Sequence, residues 1–156
     1  MLAHSEGVRK GIHPLTQNDG YDVIVTGVDD FGKVSPEIFT DYSDHPFAAG
    51  RTPKRVNMRG LASTASGRYQ FLVRDWGFYR IKLGLQDFSP ESQDKWALQL
   101  IKERHALDDI DTGHFVIAVG KCANLWASLP GAGYGQHENQ LAALEDAYEQ
   151  AGGLFA

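Results

Sequence analysis

The chain has 156 residues, enough for one domain that buries about two thirds of the surface its unfolded form exposes. Hydrophobic residues make up 42% and charged residues 22%, as in soluble globular proteins, and no run approaches the roughly 18 apolar residues of a membrane span. The formal net charge of -5 weighs against nucleic acid as a partner, although Arg51, Lys54, Arg55, Arg59 and Arg68 form a basic island that reads either as solvated loop or as contact with an anionic polymer.

Taken in order, Met1 to Gly7 reads as the last two turns of a helix closed by Gly7. Residues 8 to 20 are polar and glycine-punctuated, hence loop. Tyr21 to Thr26 and Ile38 to Tyr42 are rich in β-branched and aromatic residues, and the glycines, aspartates and Pro36 between them predict two antiparallel strands joined by a long turn. Residues 43 to 60 read as loop. The stretch from Gly60 to Gly84 then opens as a run of small residues and becomes helical: Tyr69, Leu72, Val73, Trp76, Tyr79 and Leu83 fall at helical spacing, and Phe71, Phe78 and Ile81 lie off that stripe. A helix apolar on more than one face is expected to be wrapped by its domain.

Ser89-Pro90-Glu91 supplies a helix start, with a capping serine and proline at the first helical position, for a helix to about His105. Asp111 or Thr112 caps a further helix running up to Pro130, a glycine-rich loop follows from Pro130 to Gln136, and a last helix spans about 138 to 150. The expected architecture is α+β: one domain over residues 1 to 156, with a small antiparallel β lobe, a larger helical lobe around a central helix, and a cleft between the lobes.

The inventory excludes several chemistries. Six histidines include no His-Glu-x-x-His, and the lone Cys122, set in an apolar run, reads as a buried free thiol, so neither a metal nor a disulfide is expected. Neither glycine-rich loop ends in Gly-Lys-Ser/Thr, no Gly-x-Gly-x-x-Gly follows a strand, and Gly-x-Ser-x-Gly is missing. No cofactor is called for. Carboxylate chemistry remains. Glu6, at a helix end among Leu2, Ala3 and Gly7, is either a solvated glutamate or an acid whose pKa burial raises. Asp22, Asp41 and Asp44, on or beside the strands, read first as surface or turn carboxylates.

Several longer pieces carry a resemblance: Leu2-Ala3-His4-Ser5-Glu6-Gly7, Gly20 to Val25, Phe39 to Pro46, Ser66-Gly67-Arg68-Tyr69-Gln70, Asp87-Phe88-Ser89-Pro90, Ile101 to Arg104, and Trp126 to Gln136. In this order and spacing the chain resembles the bacteriophage lambda endolysin family of peptidoglycan lytic transglycosylases over nearly its whole length. The resemblance implies a lysozyme-like fold with Glu6 as catalytic acid. It also implies cleavage of the bond between N-acetylmuramic acid and N-acetylglucosamine, with a 1,6-anhydro ring as product. One carboxyl serves as acid and then base, so no second carboxylate is required, whereas a hydrolytic lysozyme would use a pair, with Asp22 the first candidate partner.

The same resemblance sets Asp22, Tyr42, Ser66, Tyr69, Gln70, Tyr134 and Gln136 beside the sugar, with mobile lips near 42 to 60 and 130 to 141. The implied partner is the peptidoglycan glycan strand, bound by a monomer without stable membrane association. No leader sequence precedes the domain, so cytoplasmic accumulation and holin-type release to the cell wall are expected. An impaired module that only binds glycan is the alternative of another class. Two departures stand out: family members carry a longer first helix ahead of the Glu6 motif, so that helix looks truncated here, and the turn between Val25 and Phe39 looks longer than the family's hairpin.

Overall fold

The computed structural model describes residues 1–135 and 137–156. The chain gathers into two compact units, Gly7–Trp96 and Met1–Glu6 with Ala97–Ala156. The described strands all belong to the first and most helices to the second, which makes the chain α+β.

In the unit Gly7–Trp96, β1 (Val23–Val28) pairs antiparallel with β2 (Val34–Ile38), Val23 facing Ile38 and Val28 facing Val34, with an irregular register between Ile24 and Gly27. The partner strand thus starts at 34 rather than 38. The long turn expected from sequence is replaced by a short one, because the Asp29 carboxylate accepts the Phe31 and Lys33 amides at 2.9 Å each and folds the chain back at once. A second small hairpin, β3 (Lys54–Arg55) with β4 (Ala62–Ser63), lies inside the stretch expected to be irregular. It passes β1 so closely that a Cβ on Gly27 would sit 2.3 Å from the Arg55 carbonyl oxygen, which only glycine avoids. The basic island is largely neutralised. Arg51 and Lys54 pair with Glu37 at 2.5 and 3.0 Å, Arg55 pairs with Asp30 and Arg68 with Asp19, which drains the positive field a polyanion would need.

The helix after Gly60 starts later than its apolar spacing suggests. Ser66 and Phe71 pair in an isolated bridge, and α2 spans Val73–Leu83, closed by Gly84 in the left-handed conformation. It buries Trp76 but leaves Phe78 61% and Ile81 85% exposed, so the expectation of a helix wrapped on several faces is overturned. Aromatic stacking builds the core of this unit: Trp96 lies flat on Phe71 with centroids 3.9 Å apart, and Phe88 meets Trp76 edge-on at 5.3 Å. Trp96 comes from α3 (Pro90–Glu103), started as expected by Ser89, whose hydroxyl accepts the Ser92 amide at 3.4 Å.

In the other unit, α1 (Leu2–Ser5) is one turn rather than two. Further helices follow: α4 (Leu107–Asp111), which the sequence did not suggest, α5 (Phe115–Cys122) and α6 (Leu141–Gln150). α5 stops at Cys122 instead of running to Pro130. Their core joins Ile101, Phe115, Val119, Cys122, Trp126, Leu129 and Leu144. Burial pushes the Cys122 thiol up to about 11, which leaves it a packing residue rather than a nucleophile. No helix among the described residues is long and apolar enough to cross a membrane.

Candidate active site

Glu6 ends the first helix, its amide closing the last turn on the Leu2 carbonyl at 2.9 Å. Its carboxyl accepts a hydrogen bond from Ser128 Oγ, to Oε1 at 2.5 Å, while the residue keeps part of its surface open. Behind Ser128 lie the buried Ser5, its Oγ 2.7 Å from Ser128 Oγ, and the side-chain amide of Asn139, which donates to Ser5 and Ser128. Burial pushes the Glu6 carboxyl up to about 7, and the Ser128 bond pulls the other way without cancelling it. A carboxyl in that state is divided between acid and carboxylate near neutral pH, as a group that both gives and takes a proton requires.

Glu6 and Tyr134 lie in the unit Met1–Glu6 with Ala97–Ala156. Tyr134 is 56% exposed and its hydroxyl donates to the Asn124 carbonyl at 2.9 Å. The loop around it is tied by Glu138, whose carboxylate accepts the Gly133 and Gly131 amides at 2.8 and 2.9 Å and is thereby held below the ordinary range. Gln136 lies outside the described residues.

The other candidates belong to Gly7–Trp96. Asp22 is 3% exposed and accepts from the Thr16 hydroxyl, from the Gln17 amide at 2.8 Å and from the Asn18 amide at 3.3 Å, so it staples the turn ahead of β1. The Asn18 side chain reaches on to the Tyr42 hydroxyl at 3.0 Å, which brings Asp22 and Tyr42 into one neighbourhood. Asp41 and Asp44 hold turns and side chains: Asp41 accepts the Ser43 amide, and Asp44 accepts from Trp76 Nε1 at 2.5 Å and Arg80 at 3.2 Å.

Ser66 is fully buried and donates to the Thr64 carbonyl at 3.2 Å. Gly67 follows at φ +79, where a Cβ would lie 2.2 Å from Gln93 Oε1. The buried Gln93 holds the loop by accepting the Arg68 amide at 2.9 Å and donating to the Tyr21 and Phe88 carbonyls at 3.0 and 2.9 Å. Tyr69 donates its phenol to Asp94 at 2.6 Å beside Tyr21 at 2.8 Å, and burial together with that carboxylate pushes the phenol up. Gln70, half-buried at φ 50, donates to the Gly67 carbonyl at 2.9 Å. Ser66, Tyr69 and Gln70 thus share one loop, and Asp22 holds a turn; sequence spacing alone could not separate such positions from packing.

Ser5 and Ser128 stand within the motifs of the family resemblance but carry no assigned role there, and Asn139 is missed. A serine beside an acid at a helix end is a weak signal for the first. Nothing local marks Asn139, which meets Ser5 across 134 positions of sequence.

A carboxyl raised towards neutrality is one that acid-catalysed cleavage of a glycosidic bond can use. The family model described as Endolysin matches residues 1–155. The endolysin of Escherichia phage P2 is 61% identical over 156 residues, covering 100% of this chain and 91% of that protein. That of Escherichia phage lambda is 52% identical over 153 residues, covering 98% and 87%. The solved structure of bacteriophage lambda lysozyme complexed with a chitohexasaccharide superposes with a TM-score of 0.87 at 50% identity, covering 99% of this chain and 91% of that one. The chain belongs to the endolysin family: its fold is lysozyme-like, and it is a peptidoglycan-cleaving enzyme.

Proposed function

We propose that the chain works as one catalytic domain and is a lytic transglycosylase, cleaving the glycosidic bond between N-acetylmuramic acid and N-acetylglucosamine with Glu6 as its one acid and base. Protonated Glu6 gives its proton to the leaving glycosidic oxygen as positive charge grows at the muramyl anomeric carbon. The resulting carboxylate takes the proton of the same sugar's 6-hydroxyl, whose oxygen bonds to the anomeric carbon and closes a 1,6-anhydro ring. Water is neither consumed nor released, and Glu6 ends protonated as it began.

What supports this reading is the setting of Glu6 in a chain of the endolysin family: at the end of α1 its carboxyl accepts from Ser128 Oγ, and burial raises it to about 7 against the pull of that bond. The hydrolytic alternative would recruit Asp22, whose oxygens are already engaged by three donors of the 16 to 18 turn. Among the other candidates, the burial of Ser66 and Asp22 suits shaping of the sugar site rather than touching it. Tyr42, Tyr69, Gln70, Tyr134 and Gln136 remain the candidates for contact by their chemistry, since amides suit N-acetyl and hydroxyl groups and rings suit pyranose faces. The chitohexasaccharide bound to lambda lysozyme supports a glycan as ligand here.

A mass spectrum of fragments from purified sacculi tests the chemistry. Anhydro-muramic ends are expected; reducing muramic ends would replace the transglycosylase by a hydrolase. Retention on sacculi without clearing would reduce the protein to a binding module.

A further inference from the structure

The polar atoms behind Glu6 form a chain whose direction can be worked out. Asn139 Nδ2 lies 3.0 Å from the Ser5 carbonyl oxygen and 3.1 Å from that of Ser128, and 3.2 Å from Ser5 Oγ. An amide oxygen could not face two carbonyl oxygens, so the nitrogen stands there, and a nitrogen of that kind only donates. The two amide protons are shared among three acceptors, Ser5 Oγ the most distant of them, and Nδ2 itself accepts nothing, so the single proton of Ser5 turns to Ser128 Oγ at 2.7 Å. Ser128, receiving from Ser5, turns its own proton to Glu6 Oε1 at 2.5 Å. A hydroxyl oxygen can accept twice but has one proton to give, and this is the direction in which each of the two hydroxyl protons finds an acceptor.

We propose that Asn139 is a positioning residue for the reaction: acting through Ser5 and Ser128, it keeps Glu6 Oε1 an acceptor, so that the exchangeable proton resides on Oε2, the oxygen that meets the substrate. The inference rests on the reading of Glu6 as the catalytic acid and base. It gives the site a device for its two jobs. In the acid state the proton is excluded from the oxygen turned towards Ser128. In the base state the same chain stabilises the carboxylate with a hydrogen bond to a charged acceptor, stronger than one between neutral groups. The backbone amide of Asn139 also donates to the Ser128 carbonyl at 2.8 Å, so the two segments carrying the chain are held in register.

The titratable groups on the flanking segments are His4 on α1, Tyr134, His137 and Glu138 ahead of α6, and Glu145, Asp146, Tyr148 and Glu149 on it. Glu138 is occupied by the Gly131 and Gly133 amides, and the causes acting on Glu6 are burial and the Ser128 bond.

The test is a carbon NMR titration of the full-length protein labelled at glutamate, the Glu6 resonance being the one missing from Glu6→Gln, alongside the pH profile of sacculus clearing. Removing a donor to the charged form raises the pKa, so Ser128→Ala should move the Glu6 midpoint, and with it the alkaline limb of kcat/KM, up by roughly one pH unit. Asn139→Ala should move both in the same direction by less. In the Ser128→Ala background Asn139→Ala should move neither, because the connection is already cut, and Ser128→Thr should restore the original midpoint. A merely structural Asn139 would lower the melting temperature and leave the midpoint in place, which would overturn the proposal, as would a further shift in the double variant. Should Asn139→Ala not fold, Ser5→Ala removes the middle hydroxyl alone and must show the same upward shift. Full clearing by Glu6→Gln would sink the functional reading itself; an inactive Glu6→Gln with unmoved midpoints in the other variants would sink the chain alone.

Discussion

Glu6 and Asp22 are two carboxylates withdrawn from water and held in opposite ways. Asp22 is 3% exposed and has three donors on its two oxygens, two of them backbone amides of its own turn. Glu6 keeps an opening to solvent yet, among the described residues, has one donor, a hydroxyl 122 positions away in sequence, and burial pushes it up to about 7. The difference teaches that enclosure alone does not make an acid. The donors around Asp22 tie it into its turn, whereas Glu6, buried with a single donor, holds its proton more tightly than a free glutamate and can exchange it near neutral pH.

The largest expected effect follows from removing the exchangeable proton. Glu6→Gln keeps the size and a hydrogen-bond acceptor for Ser128, so the circular dichroism spectrum should be unchanged while clearing of purified sacculi falls by about 10² to 10⁴-fold, the usual worth of a general acid and base. Clearing within tenfold of the unaltered protein would break the comparison at its active end.

Asp22→Ala should reverse that pattern. Two amides and a hydroxyl lose their acceptor, and urea melts should show a loss of about 2 to 4 kcal/mol. The fraction that remains folded should clear sacculi within a few fold of normal and still release anhydro ends. Normal stability with clearing lost would move Asp22 into the chemistry and reinstate a hydrolytic pair.

The pH dependence of stability sharpens the same contrast. Glu6 titrates at about 7 when folded against an ordinary 4.5, so the folded protein binds the proton more tightly than the unfolded one. Its contribution is therefore fully present below about 4.5 and is lost as pH rises through 7. The change is on the order of 2 to 3 kcal/mol, since each tenfold gain in proton affinity is worth about 1.4 kcal/mol and the opening to solvent trims the total. Urea melts at pH 5 and pH 8 should show Glu6→Gln losing less stability over that interval than the unaltered protein, and exceeding it at pH 8. Parallel losses in the two proteins would mean that the Glu6 carboxyl is not desolvated.

Much of this architecture can be read in the sequence, and the parts that cannot share a cause. The first strand from about 23, the Ser89 cap, the free Cys122 and the last helix follow from local patterns. The position of β2 does not, because the Asp29 turn that sets it resembles any other polar stretch. β3 and β4 are two residues each, too short for alternation to show, and exist through their pairing. Helical spacing in α2 identifies a helix but cannot say that Phe78 and Ile81 face water. Local sequence leaves Glu6 open between a solvated glutamate and a buried one, and only the family resemblance singles it out; its burial and its bond to Ser128 depend on segments from the far end of the chain, which no local pattern shows.

The smallest effect belongs to Thr16, whose hydroxyl donates to Asp22 and accepts the Gly20 amide at 2.8 Å. Thr16→Val keeps the shape but strands both partners, with an expected loss of about 1 to 2 kcal/mol. Thr16→Ser keeps both bonds and should fall within about 0.5 kcal/mol of the unaltered protein. Thr16→Val removes the hydroxyl at nearly constant volume and Thr16→Ser removes a methyl but keeps the hydroxyl, so the pair separates the donor set of Asp22 from volume at the turn. Both should clear sacculi normally once corrected for folded fraction. A Thr16→Val protein that melts normally but yields reducing rather than anhydro ends would show that the staple tunes Asp22 for chemistry, and the division between a fixture and an acid would have to be redrawn.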